Sequence, residues 1–169
     1  MTLEVSTLDK IFYELSRKFH PDLFHGRSEK EKLYSREKTP LLNEAYKTLK
    51  DPVTRAEYLL NLEVPEFGKE RTKIDPVLVS EIFEIQELVE EENQTKDPAL
   101  KAELSRAEKE VREKVEARRK ALEASFAEWD ASYIGRKQEL ATLIRKTIDE
   151  ITYLRNLIQS IQTGGQVRH

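Results

Sequence analysis

Leu8, Ile11, Phe12, Leu15 and Phe19 recur three or four positions apart, which lines them along one side of a helix. Lys10, Glu14, Arg17 and Lys18 fall off that stripe. Thr7 stands where a cap would. Pro21 cannot continue a helix and restrains the residue before it, so the pattern predicts an end near Phe19 or His20. The polar stretch Leu23 to Arg27, with Gly26 inside it, separates this helix from a second one running from about Ser28 or Glu29 to Lys50. That second helix is expected to carry Leu42, Ala45, Tyr46 and Leu49 inward. Pro40 interrupts it: either the helix kinks there, or Thr39 caps a fresh helix with Pro40 at its first position. Asp51-Pro52 then opens a short helix to about Leu62, with Ala56, Leu59 and Leu60 on its apolar side.

Residues 63–74 lack periodicity, hold Pro65 and Gly68, and read as a linker. Two Asp-Pro pairs follow, each a cap plus a first helical position. Asp75-Pro76 predicts a helix to about Asn93 with Leu78, Ile82, Ile85 and Val89 as its core stripe. Asp97-Pro98 starts a very long helix stepping through Leu100, Leu104, Val111, Val115, Leu122, Phe126 and Trp129. A third helix is expected from near Asp130 to Gln162, with Leu140, Ile144, Ile151, Leu154, Ile158 and Ile161 as its seam. Gly164-Gly165 stops it, and residues 163–169 read as a flexible tail. The fold expected is all-α: a small helical hairpin unit over 1–62, then an elongated three-helix bundle over 75–162 with coiled-coil character.

Composition narrows the function more than the fold. Among 169 residues there are 29 basic and 32 acidic ones and no cysteine. A net charge of −3 offers no general attraction to phosphate backbones, so nucleic acid is not an expected partner. Without cysteine there is no disulfide framework or thiolate metal site, which fits a reducing compartment. The chain shows no apolar run of membrane-span length and no secretory signal, so the expected setting is soluble and intracellular. Nothing looks like a phosphate loop, a nucleophile elbow or a metal-ligand cluster.

Two surfaces stand out. His20, Pro21 and Asp22 fall at the turn between two helices that must pack antiparallel. Read alone, the tripeptide is a helix stop, a metal ligand, an acid–base pair or a docking tip. His20 and His25 are too few ligands for a metal, and a charged tip has no pocket in which to tune a catalytic pKa. The second surface is the outer side of the helix after Asp75. At about 100° per residue, Val79, Ser80, Phe83, Glu84, Glu87 and Glu91 lie opposite its core stripe. Glutamates there suit a solvated face. Val79 and Phe83 suit either a protein contact or cover by the bundle's third helix.

The tracts LSRKFHPDLF, LLNEAYKTLKDP and RAEYLL resemble a J-domain, the fold in which two antiparallel helices expose His-Pro-Asp at their connecting loop. With an acidic helical bundle behind it and WDA at Trp129 to Ala131, the chain is similar to the HscB-type iron–sulfur co-chaperones (Jac-type in mitochondria). The resemblance implies that His20, Pro21 and Asp22 stimulate ATP hydrolysis by a DnaK-type, HscA-like chaperone, met by the basic face of Lys10, Arg17 and Lys18. It further implies an IscU-like iron–sulfur scaffold on Val79, Ser80, Phe83, Glu84, Glu87 and Glu91, with Tyr153 of the segment EITYLRNL as an aromatic contact. No cofactor, no metal and no catalysis of its own are implied. The setting would be a bacterial cytoplasm, or the mitochondrial matrix in a eukaryote. Against the family pattern, the short helix that ordinarily precedes the basic one is missing or reduced, and Pro40 sits in a segment that is ordinarily unbroken. Competing readings are a J-domain adaptor for another client, and a structural coiled coil with an accidental His-Pro-Asp.

Overall fold

The computed structural model describes residues 1–65 and 72–165; the middle of the predicted linker (66–71) and the end of the predicted tail (166–169) lie outside the described residues. Among the described residues six α-helices follow one another: α1 Val5–Phe19, α2 Glu29–Lys50, α3 Pro52–Glu63, α4 Pro76–Thr95, α5 Pro98–Ala131 and α6 Ile134–Thr163, with a 3-10 turn at Pro21–Phe24 between α1 and α2. No β-strand occurs among the described residues.

All three Asp-Pro starts hold. Asp51, Asp75 and Asp97 each accept an amide hydrogen bond two residues on, from Val53, Val77 and Ala99, all at 2.8 Å. Proline at the first helical position forfeits only an amide that has no intrahelical partner there. Ser28 and Glu31 form a reciprocal capping box at the start of α2. Thr7 does not cap α1; the helix starts earlier, at Val5, and the Thr7 hydroxyl donates to the Glu4 carboxylate (3.0 Å).

Pro40 neither splits α2 nor starts a new helix. An interior proline removes one helical hydrogen bond and crowds the preceding turn, at a cost of about 3 kcal/mol. It is tolerated on the exposed side of α2. Its neighbour Thr39 is engaged elsewhere: the hydroxyl donates to the carbonyls of Ser35 (2.9 Å) and Phe19 (3.2 Å).

Ile11 and Ala45, expected inward, are exposed. The packing partner of α1 is α2, and a two-helix hairpin covers only the facing half of a broad apolar stripe. The facing half is well made. Phe12 stacks on Tyr46 with ring centroids 3.9 Å apart, and the Tyr46 hydroxyl donates to Asp9 (2.8 Å).

The bundle departs from expectation mainly at its ends. Asp130 lies in the last turn of α5 instead of opening α6, because the chain breaks at Ser132 and Tyr133; there the Ser132 hydroxyl donates to the Glu128 carbonyl (2.6 Å). At the far end Gly164 takes a left-handed φ of 61°, and the Gly165 amide returns to the Ser160 carbonyl (2.8 Å), which closes α6. The seam is richer than the spacing suggested, since Ala141, Ile148 and Leu157 are also buried. With 34 residues, α5 spans about 50 Å.

Helix α3 joins the two units. Val53, Ala56 and Leu60 belong to the same buried cluster as Leu122, Phe126 and Trp129 of α5 and Ile144 of α6. Arg55, 5% exposed, donates to the Leu49 carbonyl at the end of α2 (2.6 Å) and lies over the Phe126 ring (5.1 Å). Around this apolar joint run ion pairs: Asp51 with Arg119 (3.1 Å) and Arg155 (3.3 Å), Glu57 with Arg145 (3.9 Å), and Glu63 with Lys137 (2.8 Å). Asp149 of α6, buried beside Arg145 (2.6 Å), also takes the amide and hydroxyl of Thr72 (both 2.9 Å), which anchors the chain just before α4.

Burial pushes the Asp51 carboxyl upward, but the Val53 and Thr54 amides and the Arg119 guanidinium outweigh it and hold the group below its ordinary range. Burial likewise pushes Asp149 upward, and Arg145 with Thr72 holds it low. A carboxyl whose folded value is depressed stabilises the fold above its unfolded pKa, near about pH 4, and that contribution is lost as pH falls through the folded value. The melting temperature is therefore expected to fall on acidification below about pH 4, and an Asp51→Asn/Asp149→Asn double variant to fall less steeply. Thermal melts at neutral pH and about pH 3 check this; equal slopes in the two proteins would contradict it.

Candidate functional site

The tip is built by helix-end chemistry. The last carbonyl of α1, at Phe19, has no intrahelical donor and takes two hydroxyls from α2 instead: Ser35, fully buried, at 2.6 Å and Thr39 at 3.2 Å. This staple fixes where α1 stops relative to α2. His20 then leaves the helix with extended backbone (φ −61°, ψ 129°), as a residue before proline prefers. Pro21 starts the 3-10 turn, and the Asp22 amide donates to His20 Nδ1 (3.3 Å). The Asp22 carboxylate stands between two imidazoles, with Oδ2 3.4 Å from His20 Nδ1 and Oδ1 4.0 Å from His25 Nε2. His20 and Asp22 have side chains 58% and 76% exposed. Such an arrangement presents a donor and a carboxylate outward on a rigid turn. It encloses nothing and suits contact with another macromolecule.

Lys10, Arg17 and Lys18 are all exposed on α1, and none has a carboxylate within 4.0 Å among the described residues. Arg17 and Lys18 lie in the last turn, where cations also complement the helix dipole. Glu14 lies on the same side as Lys10 and Arg17, so the basic face is small.

On α4, Phe83 is 61% and Val79 36% exposed; the third helix of the bundle does not hide them. Ser80, Glu84, Glu87 and Glu91 are exposed around them, while Leu78, Ile85 and Val89 are buried. Glu81 is turned toward α5, paired with Lys114. Tyr153 lies on α6, 38% exposed. Two hydrogen bonds set α4 in parallel register with α6: Thr72 on Asp149 near the start, and Asn93 on Gly164 (2.6 Å) near the end. Tyr153, four residues past Asp149, is thereby level with the first half of α4, the half that carries Val79 and Phe83. The spacing did not single out Val77, which is 76% exposed. It lies seven positions before Glu84 and so on the same helix side, a signal available in the sequence.

Comparison with known proteins is consistent across levels. Residues 2–58 match the DnaJ domain family. A co-chaperone protein HscB homolog from Vibrio vulnificus is 41% identical over 91 residues, covering 53% of this chain and 53% of the relative. The corresponding protein of Photobacterium profundum is 36% identical over 96 residues, 56% of each chain. The chain thus spans about half the length of the curated relatives it matches. In three dimensions the likeness extends further: the chaperone HscB from Vibrio cholerae superposes with a TM-score of 0.70 at 28% identity, covering 96% of this chain and 88% of that one.

Proposed function

We propose that this chain, an HscB-like J-domain protein in sequence and in fold, is a non-enzymatic co-chaperone that couples a bound client to ATP hydrolysis in a partner chaperone. The observation that carries the reading is the pairing of an exposed, rigid His20-Pro21-Asp22 turn with a separate exposed apolar face on α4. The partner would be a DnaK-type, HscA-like ATPase, met at the tip and on Lys10, Arg17 and Lys18. The client would be an IscU-like iron–sulfur scaffold, met by Val79, Ser80, Phe83, Glu84, Glu87 and Glu91 with Tyr153, which sets the work in iron–sulfur cluster assembly. The cluster belongs to the client. This chain contributes position and a trigger, and the chaperone does the chemistry.

Geometry supports a division of labour. The continuous core through α3 and the ion pairs around it hold the two surfaces on one framework. A scaffold docked on α4 is then carried at a set distance from the tip. The test is single-turnover ATP hydrolysis by the chaperone, alone, with this chain, and with this chain plus scaffold. Stimulation by the chain that rises further with scaffold is expected; no stimulation in either mixture overturns the reading.

A further inference from the structure

Beside the His-Pro-Asp turn lies a feature that the proposed function does not use. A cavity of about 260 Å³ opens between the 3-10 turn and α2, lined by Pro21, Phe24, His25, Lys32, Ser35 and Arg36. Its lining includes no carboxylate. The Ser35 hydroxyl is committed to the Phe19 carbonyl, and Lys32 shares its charge with Glu29 (2.8 Å). Arg36 is exposed, with no carboxylate within 4.0 Å among the described residues. Pro21 and Phe24 supply the apolar part. His25 lines the cavity and also stands 4.0 Å from Asp22 Oδ1, because residues three apart on a 3-10 turn eclipse one another.

We propose that this cavity is a second docking point for the partner ATPase, taking an acidic segment that presents a carboxylate beside an apolar side chain. The inference rests on the co-chaperone reading and names a contact surface of the same tip. Charge decides the occupant: the Arg36 guanidinium, which feels Glu29 but makes no ion pair within 4.0 Å among the described residues, has the fork that binds a carboxylate through two parallel hydrogen bonds, and the Lys32 ammonium in the same lining adds to the attraction. Pro21 and Phe24 offer the neighbouring apolar side chain a surface to leave water against. With Lys10, Arg17 and Lys18 on α1, the partner then meets basic groups on both helices that flank the turn.

The test uses the full chain in the chaperone ATPase assay, titrating wild type, Lys32→Glu/Arg36→Glu, Lys38→Glu and His20→Gln, with helix content followed by circular dichroism. Docking through the cavity predicts that the double charge reversal raises the half-saturating concentration about tenfold while leaving maximal stimulation intact, by the cost of like charges at a contact. The gap should narrow as salt is raised. Lys38→Glu, on the same helix but held over the Tyr34 ring (5.4 Å), should behave as wild type. An unchanged half-saturating concentration in the double variant, while His20→Gln is inactive, overturns the cavity and leaves the co-chaperone reading standing. Loss of stimulation even at saturation also overturns it, since the cavity would then act in the trigger and not in docking. Failure of the wild type to stimulate removes both readings together.

Discussion

His20→Gln is expected to abolish stimulation of the chaperone's ATPase while leaving the helix content of the chain unchanged. The two halves of this outcome have different physical sources. His20 lies one residue past the end of α1, its side chain is mostly exposed, and its polar contacts among the described residues are both with Asp22, the amide at 3.3 Å and the carboxylate at 3.4 Å. Glutamine is similar in size and keeps an acceptor, so neither α1 nor the Ser35 and Thr39 staple on Phe19 depends on the imidazole. What changes is the group offered to a partner: a rigid ring becomes a flexible amide. Interactions made only in the activated complex set a rate, and their loss returns the chaperone to its basal turnover. Single-turnover hydrolysis at saturating co-chaperone measures this directly. Equal stimulation by wild type and variant would sink the coupling role.

Replacing Phe83 and Tyr153 by alanine is expected to weaken scaffold binding strongly and spare chaperone stimulation. Aromatic anchors at the centre of a contact are the side chains whose truncation costs most, commonly 2 kcal/mol or more, or about thirtyfold in affinity. Phe83 has the exposure of such an anchor, being 61% accessible on a helix whose buried side is complete without it. For the same reason its loss should not disturb the bundle. Tyr153, level with that part of α4, adds a second aromatic, while the glutamates around them form the rim, where charge tunes approach more than affinity. Calorimetric titration of the scaffold gives the affinities, and the ATPase assay without scaffold gives the control. Unchanged scaffold affinity in both single variants would remove the assignment to this face.

Much of this architecture was legible in the chain. The Asp-Pro starts are strong local signals, because one carboxylate and one proline each solve a problem specific to a helix's first turn, and all three lie where structure begins. The seams of α5 and α6 follow from long unbroken periodicity. Local spacing fails where the outcome depends on what packs from outside. Ile11 and Ala45 carry an inward pattern but stay exposed, and periodicity cannot report how much of a stripe the neighbouring helix covers. Pro40 reads as an interruption, yet a helix held by its ends and by Phe12 on Tyr46 continues through it. The Asp130 boundary was missed because Ser132 and Tyr133 lack the glycine or proline that marks most breaks. At the tip, the tripeptide was visible; the Ser35 and Thr39 hydroxyls that hold it come from a segment distant in sequence.

The joint between the two units also carries its own reporter. Trp129 is the single tryptophan of the chain, 1% exposed, its indole N–H without a hydrogen-bond partner among the described residues. Lys137 lies 5.1 Å over its ring while reaching Glu63 at the end of α3. All of the protein's indole fluorescence therefore originates at the seam, from a ring shielded from water on the bundle side and watched by a cation tied to α3. Detachment of α3 withdraws the carboxylate that holds Lys137 in place and opens the indole to solvent, shifting its emission to the red. An unlabelled sample mixed with chaperone or scaffold thus discloses, in one emission spectrum, whether the lever between them stays straight.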